Sequence, residues 1–252
     1  MRTEISPRIP IVESRVFESR TDARFALITI DVRDGSEVEF DNEFLGAAKL
    51  RASTYLASGF VELSQLDEAG TELDSDDQRA AHFVLLERCD DTPSLARVVG
   101  NMRLVVKDKR EPLPLPVEAF FPDLFADGCL PLNSVETSRL IASHENPRIQ
   151  RLMAWPLFVA GYEYVSRLGL GPVYGLVSPA LVRVLQKRKV PVVPIWEATP
   201  IPAINATKQP VILDLPVFGD LIKSVGDQGA MPAAGYRCAY FGAGYRTEEL
   251  SA

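Results

Sequence analysis

The stretch from Pro156 to Trp196 constrains the fold more than any other part of the chain. Pro156 is suited to the first turn of a helix that runs to about Leu168, where Gly169 supplies a stop. Leu157, Gly161, Tyr164 and Leu168 recur on one stripe of that helix. A strand at Pro172–Val177 follows, then Ser178–Pro179 opens a helix to about Lys189, and Val190–Trp196 reads as a further strand. With a strand at Val135–Ala142 before it, this order of strand, helix, strand, helix, strand requires helices laid against a sheet.

The amino-terminal half reads differently. Residues 1–24 form an irregular arm, followed by a strand at Phe25–Val32, a compact apolar run rich in β-branched residues. Asp41 or Asn42 can cap a helix to about Ala57, with Leu45, Leu50, Tyr55 and Leu56 as its apolar positions. The segment Glu62–Asp77 carries seven acids and no Lys or Arg, which reads as a loop. Strands at His82–Glu87 and Arg97–Val106 are joined by a turn through Asp90, Asp91, Thr92 and Pro93. Met102, Leu104 and Val106 take one face of the second strand and Arg103 the other. Pro112, Pro114, Pro116 and Pro122 exclude a long helix in the crossing that follows. A last strand is expected at Tyr236–Phe241. The fold class expected is α+β, a mixed α/β sheet in three layers. The 252 residues read as one domain with an arm at 1–24 and an extension from about 200 to 252.

Composition excludes several functions. With 27 basic and 34 acidic residues the net charge is −7, unsuited to broad nucleic-acid binding. No apolar run approaches the roughly 18 residues of a membrane span, and Met1–Arg8 lacks the apolar core of a signal peptide. A cytoplasmic location is therefore expected, with Cys89, Cys129 and Cys238 reduced. Those cysteines lack zinc spacing, and His82 and His144 are the only histidines. There is no Gly-x-Ser-x-Gly elbow, phosphate loop or dinucleotide fingerprint. The chemistry is expected to proceed without a metal, a nucleotide loop or a histidine base.

Three patterns carry chemistry. Glu72-x-Asp74-x-x-Asp77 gathers carboxylates that can orient an ammonium group or act as a base; alternatively it is a solvated acidic loop. Glu136-x-Ser138-Arg139 lies within the Val135–Ala142 strand, where regular alternation would put Glu136 and Arg139 on opposite faces. It is alternatively an edge strand with solvated charges. Arg103 is a natural partner for one of these carboxylates. Arg51 and Tyr55 share a helix face at i, i+4, ordinarily an exposed arginine over a ring.

Taken in chain order, Arg51 and Tyr55, then Glu72-x-Asp74-x-x-Asp77, then Gly100-x-x-Arg103-Leu104, then Glu136-x-Ser138-Arg139, the chain resembles the acyl-homoserine-lactone (autoinducer) synthases over residues 44–196. That family lies within the GNAT-like acyltransferase superfamily, alongside N-acyl amino acid synthases. The resemblance implies a three-layer α-β-α sandwich with a twisted mixed sheet that splays between Val135–Ala142 and Pro172–Val177. A phosphopantetheine thioester, acyl-ACP or acyl-CoA, would enter the splay as co-substrate, with no permanently bound cofactor. Met102, Leu104, Leu140, Leu157 and Tyr164 could line an acyl tunnel or simply fill the core. The implied catalytic carboxylates are Glu72 and Glu136. The implied substrate-binding residues are Arg51, Tyr55, Phe60, Asp74, Asp77, Arg103, Ser138, Arg139, Ile141 and Ala142. Arg103 and Arg139 would hold the carboxylates or grip an acceptor. Gly59–Phe60–Val61 and Val135 stand where the family commonly has tryptophans near its S-adenosylmethionine site. That departure favours an N-acyl amino acid synthase or a related amine acyltransferase.

Arg148, Arg151, Lys187 and Arg188, with Arg183 and Lys189, offer a basic landing surface for an acidic acyl carrier protein. The cations at 187–189 equally suit a helix C-terminus. The expected function is transfer of a fatty acyl group from a carrier thioester to a small amine. The alternatives are a non-catalytic acyl-thioester or lipid-binding protein and a short-chain N-acetyltransferase.

Overall fold

The computed structural model describes residues 11–13, 24–32, 42–89, 92–109, 112–125, 129–227 and 236–242. The readings of Met1–Arg8 and of Asp90 and Asp91 fall outside them. The chain divides into two compact units. One comprises residues 1–103, 139–158 and 234–252, the other 104–138 and 159–233.

In the first unit β1 (Ile11–Glu13) lies within the arm read as irregular and pairs antiparallel with β4 (Thr92–Val106). Strands β2 (Phe25–Asp31) and β3 (Ala80–Cys89) form an antiparallel ladder from Phe25↔Glu87 to Asp31↔Ala81. β4 begins earlier than expected because Pro93, read as a turn, is the second residue of the strand, where its missing N–H is tolerated. Helix α1 (Asn42–Ser58) covers one face. There Phe44, Ala47 and Leu50 join Ala26, Ile28, Ile30, Val84, Leu86, Ala96, Val98 and Ile141 in a buried cluster. A side chain at Gly100 would meet Leu157 and Leu85 at 3.2 Å, so the first part of α3 (Pro147–Leu168) covers the opposite face. These three layers, helix, sheet and helix, match the expected sandwich.

Strict alternation along β4 would place Gly100 with Ala96 and Val98 beneath α1. Its missing Cβ instead faces α3, so β4 slips by one residue in the manner of a β-bulge. Asn101 and Arg103 thereby turn to the α1 side. Met102 and Val105 are buried as well, so residues 98–106 of the strand have no solvent face.

Helix α3 begins nine residues before Pro156, which lies inside it. Pro147 holds the first position, and Asn146 caps it by accepting the Arg148 N–H at 2.9 Å. The stop at Gly169 is as expected: φ is +61° and the Leu170 N–H returns to the Val165 carbonyl at 2.9 Å.

The second unit contains α2 (Pro116–Phe120), β6 (Val173–Val177), α4 (Pro179–Lys187) and β7 (Val192–Pro194). It also contains β8 (Thr199–Ile201), β9 (Ala206–Leu213) and α5 (Leu215–Asp227). Strand β5 (Val135–Ala142) has the expected limits and pairs parallel with β6 for three residues, Val135↔Val173 to Thr137↔Gly175. β6 and β7 both pair antiparallel with β9, and so does β8. The expected strand Val190–Trp196 shrinks to β7 between Pro191 and Pro194. The expected α4 ends before Lys189, whose φ of +62° takes it out of the helix. The segment from about 200 onward, read only as an extension, holds β8, β9 and α5. In α5, Gly219 lets the helix lie against the Tyr162 hydroxyl, where a Cβ would come within 2.1 Å. The last strand, β10 (Tyr236–Gly242), belongs to the first unit and runs parallel to β2.

Candidate functional site

The acidic segment is more ordered than a loop. Leu63–Gln65 and Ser75–Arg79 are short 3₁₀ turns, and the second is framed by two of the motif carboxylates. Asp74 caps it by accepting the Asp76 N–H, and Asp77 accepts the Asp74 N–H, each at 2.9 Å. The three-residue spacing is thus a capping box, a local reason for this sequence to turn here. The same two carboxylates then face arginines.

Arg51, expected to be exposed, is 1% exposed and lies at the centre of this assembly. It makes two 2.8 Å bonds to Asp77, a 2.8 Å ion pair from Nε to Glu72, and a bond to the Glu72 carbonyl. Arg103 donates to Asp74 and, at 2.9 Å, to Asp77. Arg139 donates to Glu72 at 2.7 Å and to Asp74 at 2.6 Å, and its guanidinium lies 5.6 Å from the centre of the Tyr55 ring. Three arginines therefore meet Glu72, Asp74 and Asp77. The solvated-loop and edge-strand alternatives do not describe these residues.

Arg139 is left-handed, with a φ of +53°. The Asn101 side-chain amide donates to the Arg139 carbonyl at 3.1 Å from the neighbouring strand.

Burial would raise the Asp77 pKa, but Arg103 and Arg51 outweigh it and hold the carboxyl below the usual range. Asp74 is depressed in the same way, by Arg103 and Arg139 against burial. Both are anions at neutral pH, suited to fixing cations rather than accepting protons. Burial raises the Tyr55 phenol, partly opposed by Arg139, so it remains a neutral donor. The network is closed at Arg51, Arg103 and Asp77 and reaches solvent at Asp74 and Arg139, whose side chains are 31% and 25% exposed.

The other sequence candidates are placed as follows. Phe60 is partly exposed, its ring edge-on to Tyr55 at 6.0 Å. Ile141 is in the core cluster beneath α1, while Ser138 and Ala142 are half-buried. Arg148 and Arg151 are exposed on the first unit, and Lys187 and Arg188 on the second. Glu136 lies in the second unit, buried, with its carboxylate accepting the Val117 N–H at 2.6 Å.

Sequence reasoning missed His82. It is wholly buried, with Nε2 3.0 Å from the Asp77 carbonyl and its ring edge-on to Phe44 at 4.7 Å. Burial pushes its pKa down to about 4. Its place, shortly after Asp77 and inside an apolar strand, was the available signal. Arg79, paired with Asp76 at 2.5 Å, was also missed. Among the described residues no group of three or more His, Cys, Asp or Glu is arranged to hold a metal ion, and no helix is long and apolar enough to cross a membrane.

No family model and no curated protein matches the chain. Solved structures do. The CoA-dependent acyl-homoserine lactone synthase BjaI, with MTA, is similar at a TM-score of 0.61 and 19% identity, over 88% of this chain and 95% of that one. The same synthase with SAM and isopentyl-CoA gives 0.60 and 20% over 87% and 94%. The acyl-homoserine lactone synthase LasI gives 0.54 and 17% over 76% and 91%. The chain has the fold of the acyl-homoserine lactone synthases, as its motif order implied.

Proposed function

We propose that the chain is an N-acyltransferase that moves a fatty acyl group from a phosphopantetheine thioester to the amine of a small acceptor. The observation that carries this reading is the arginine–carboxylate network, sealed at Arg51, Arg103 and Asp77 and open at Asp74 and Arg139. An amino acid or S-adenosylmethionine-like acceptor presents both an ammonium group and a carboxylate. The open end of the network offers a carboxylate for the first and a guanidinium fork for the second.

The acceptor nitrogen, once deprotonated, attacks the thioester carbonyl. The C–N bond forms, the C–S bond breaks, and the thiol leaves with a proton. A thioester is already activated, so no covalent enzyme intermediate is required. Glu72 is assigned as the base for the amine proton, acting through water, and Arg139 and Arg51 hold its two oxygens in place. Glu136 is the second assigned carboxylate. Tyr55, Phe60, Ser138, Ile141 and Ala142 are assigned to substrate contact, and Arg148, Arg151, Lys187 and Arg188 to carrier docking. The three-residue β5–β6 ladder, beyond which the strands no longer pair, supports entry of the pantetheine arm at that point.

The test measures thiol release and acylated product by mass spectrometry. Octanoyl-CoA or octanoyl-carrier protein is offered with the twenty amino acids and S-adenosylmethionine. Turnover with an amine is expected, and Glu72→Gln should reduce kcat roughly 10²- to 10⁴-fold in a folded protein. Thioester binding with no thiol release, whatever amine is present, would overturn the reading.

A further inference from the structure

We infer that Asn101 is a positioning residue, holding Arg139 in its left-handed conformation so that the guanidinium is delivered to Glu72. The inference rests on the N-acyltransferase reading, in which Glu72 is the base, but its geometry is independent of it.

Asn101 is fully buried on β4. Its one side-chain hydrogen bond runs from Nδ2 to the Arg139 carbonyl, while Oδ1 has no partner among the described residues. The orientation of the amide is fixed by chemistry: a carbonyl only accepts, so the nitrogen must face Arg139. A buried acceptor without a partner is costly, and an apolar side chain of similar volume would avoid the cost. What the amide supplies that leucine would not is a donor aimed at one carbonyl.

That carbonyl belongs to a residue that needs holding. Arginine has a Cβ, and the left-handed conformation at φ +53° is unfavourable for it. From that conformation its guanidinium reaches Glu72 and Asp74, at 2.7 and 2.6 Å. The one-residue slip of β4 makes this possible by bringing Asn101 and Arg103 to the α1 side together. One strand thus provides both the arginine that binds Asp74 directly and the amide that sets the backbone of the other arginine.

The decisive variant is Asn101→Leu, studied by crystallography and by kinetics. Arg139 should leave the left-handed region and its bonds to Glu72 should lengthen. In the folded protein kcat should fall roughly tenfold to hundredfold, with the KM for octanoyl-CoA unchanged. Placed in a Glu72→Gln background, the substitution should add almost nothing. An unchanged Arg139 conformation overturns the inference, as does an undiminished kcat or a full additional loss beside Glu72→Gln. Should Asn101→Leu not fold, Asn101→Asp decides: its carboxyl donates to the Arg139 carbonyl only when protonated. Its activity relative to the parent should therefore recover as pH falls from about 8 to about 6, and a flat ratio overturns the inference. A parent enzyme without turnover would end the acyltransferase reading, and the crystal structure of Asn101→Leu would still decide the role of Asn101.

Discussion

Two buried ionic assemblies of this protein behave as opposites. In the second unit, Glu118 is closed on all sides. Its carboxylate takes the Lys107 ammonium at 2.6 Å and the backbone N–H groups of Leu115 and Leu130 at 2.7 and 2.8 Å, and both side chains are buried. In the first unit, the Arg51–Arg103–Arg139 network is equally well paired in its interior but ends in half-exposed groups at Asp74 and Arg139. Burial and pairing alone therefore do not mark a site, since they are shared. What distinguishes the second case is an open end at which fixed charges meet whatever approaches. The Lys107–Glu118 pair is a staple that holds the turn before α2 and the segment at Leu130.

The contrast can be broken from its larger side first. Arg103→Met removes the shared partner of Asp74 and Asp77 and leaves buried carboxylates uncompensated. A loss of about 3–5 kcal/mol is expected in urea unfolding, together with loss of turnover in the fraction that folds. Lys107→Met should cost a comparable amount, about 3–5 kcal/mol, yet leave turnover per folded molecule unchanged. Lys107→Met combined with Glu118→Leu should recover most of it, since no lone buried charge remains. If Lys107→Met abolished turnover while stability held, the assignment of that pair as a staple would be wrong.

A smaller effect separates the interior of the network from its surroundings by pH. The folded pKa of His82 is pushed down to about 4 from 6.5. The unfolded chain therefore binds a proton between these values that the folded chain does not. Stability is complete above pH 6.5 and declines as pH falls toward 4, by up to about 3 kcal/mol. Asp77 and Asp74, also depressed on folding, extend the decline below their unfolded value of 3.8. Denaturant midpoints at successive pH values should show the first slope, and His82→Phe should remove it while leaving the second.

The smallest effect concerns a third assembly, where Glu87 is shared by Arg24 at 2.7 Å, Arg97 at 2.7 Å and His144 at 3.2 Å. Arg24 is half-exposed, and two partners remain without it. Arg24→Ala should cost no more than about 1 kcal/mol, and a thermal shift well above that would mean that the three partners of Glu87 act as a unit.

Much of this was legible in the sequence where a rule is local. The limits of β5, the extent of α1 and the stop at Gly169 follow from patterns within a few residues. The order of the charged motifs was enough to indicate the fold. The proline rules went astray where their cost depends on distant partners. Pro210 lies within β9, opposite Leu176 of β6, at a position where neither β7 nor β8 pairs. Its missing N–H is therefore tolerated in a strand that a local reading breaks. In α5, Asp214 caps by accepting the Val217 N–H at 3.1 Å, a start signal obscured by the surrounding prolines. Within the site, the residue types were readable but the conformation of Arg139 was not. A left-handed arginine is set by Asn101 on another strand, and no spacing along the chain records it.

The parallel pairing of β10 with β2 has a consequence for how the chain is made. Tyr236 lies against Phe25 and Gly242 against Asp31, so two segments separated by most of the polypeptide complete one ladder. At ribosomal speed, roughly ten to forty seconds pass between the synthesis of β2 and that of its outer neighbour. For that interval β2 keeps one open edge, and a nascent chain with an open apolar strand invites pairing with other chains. A chaperone that shields this edge during translation would therefore matter more to yield than one acting on the finished protein.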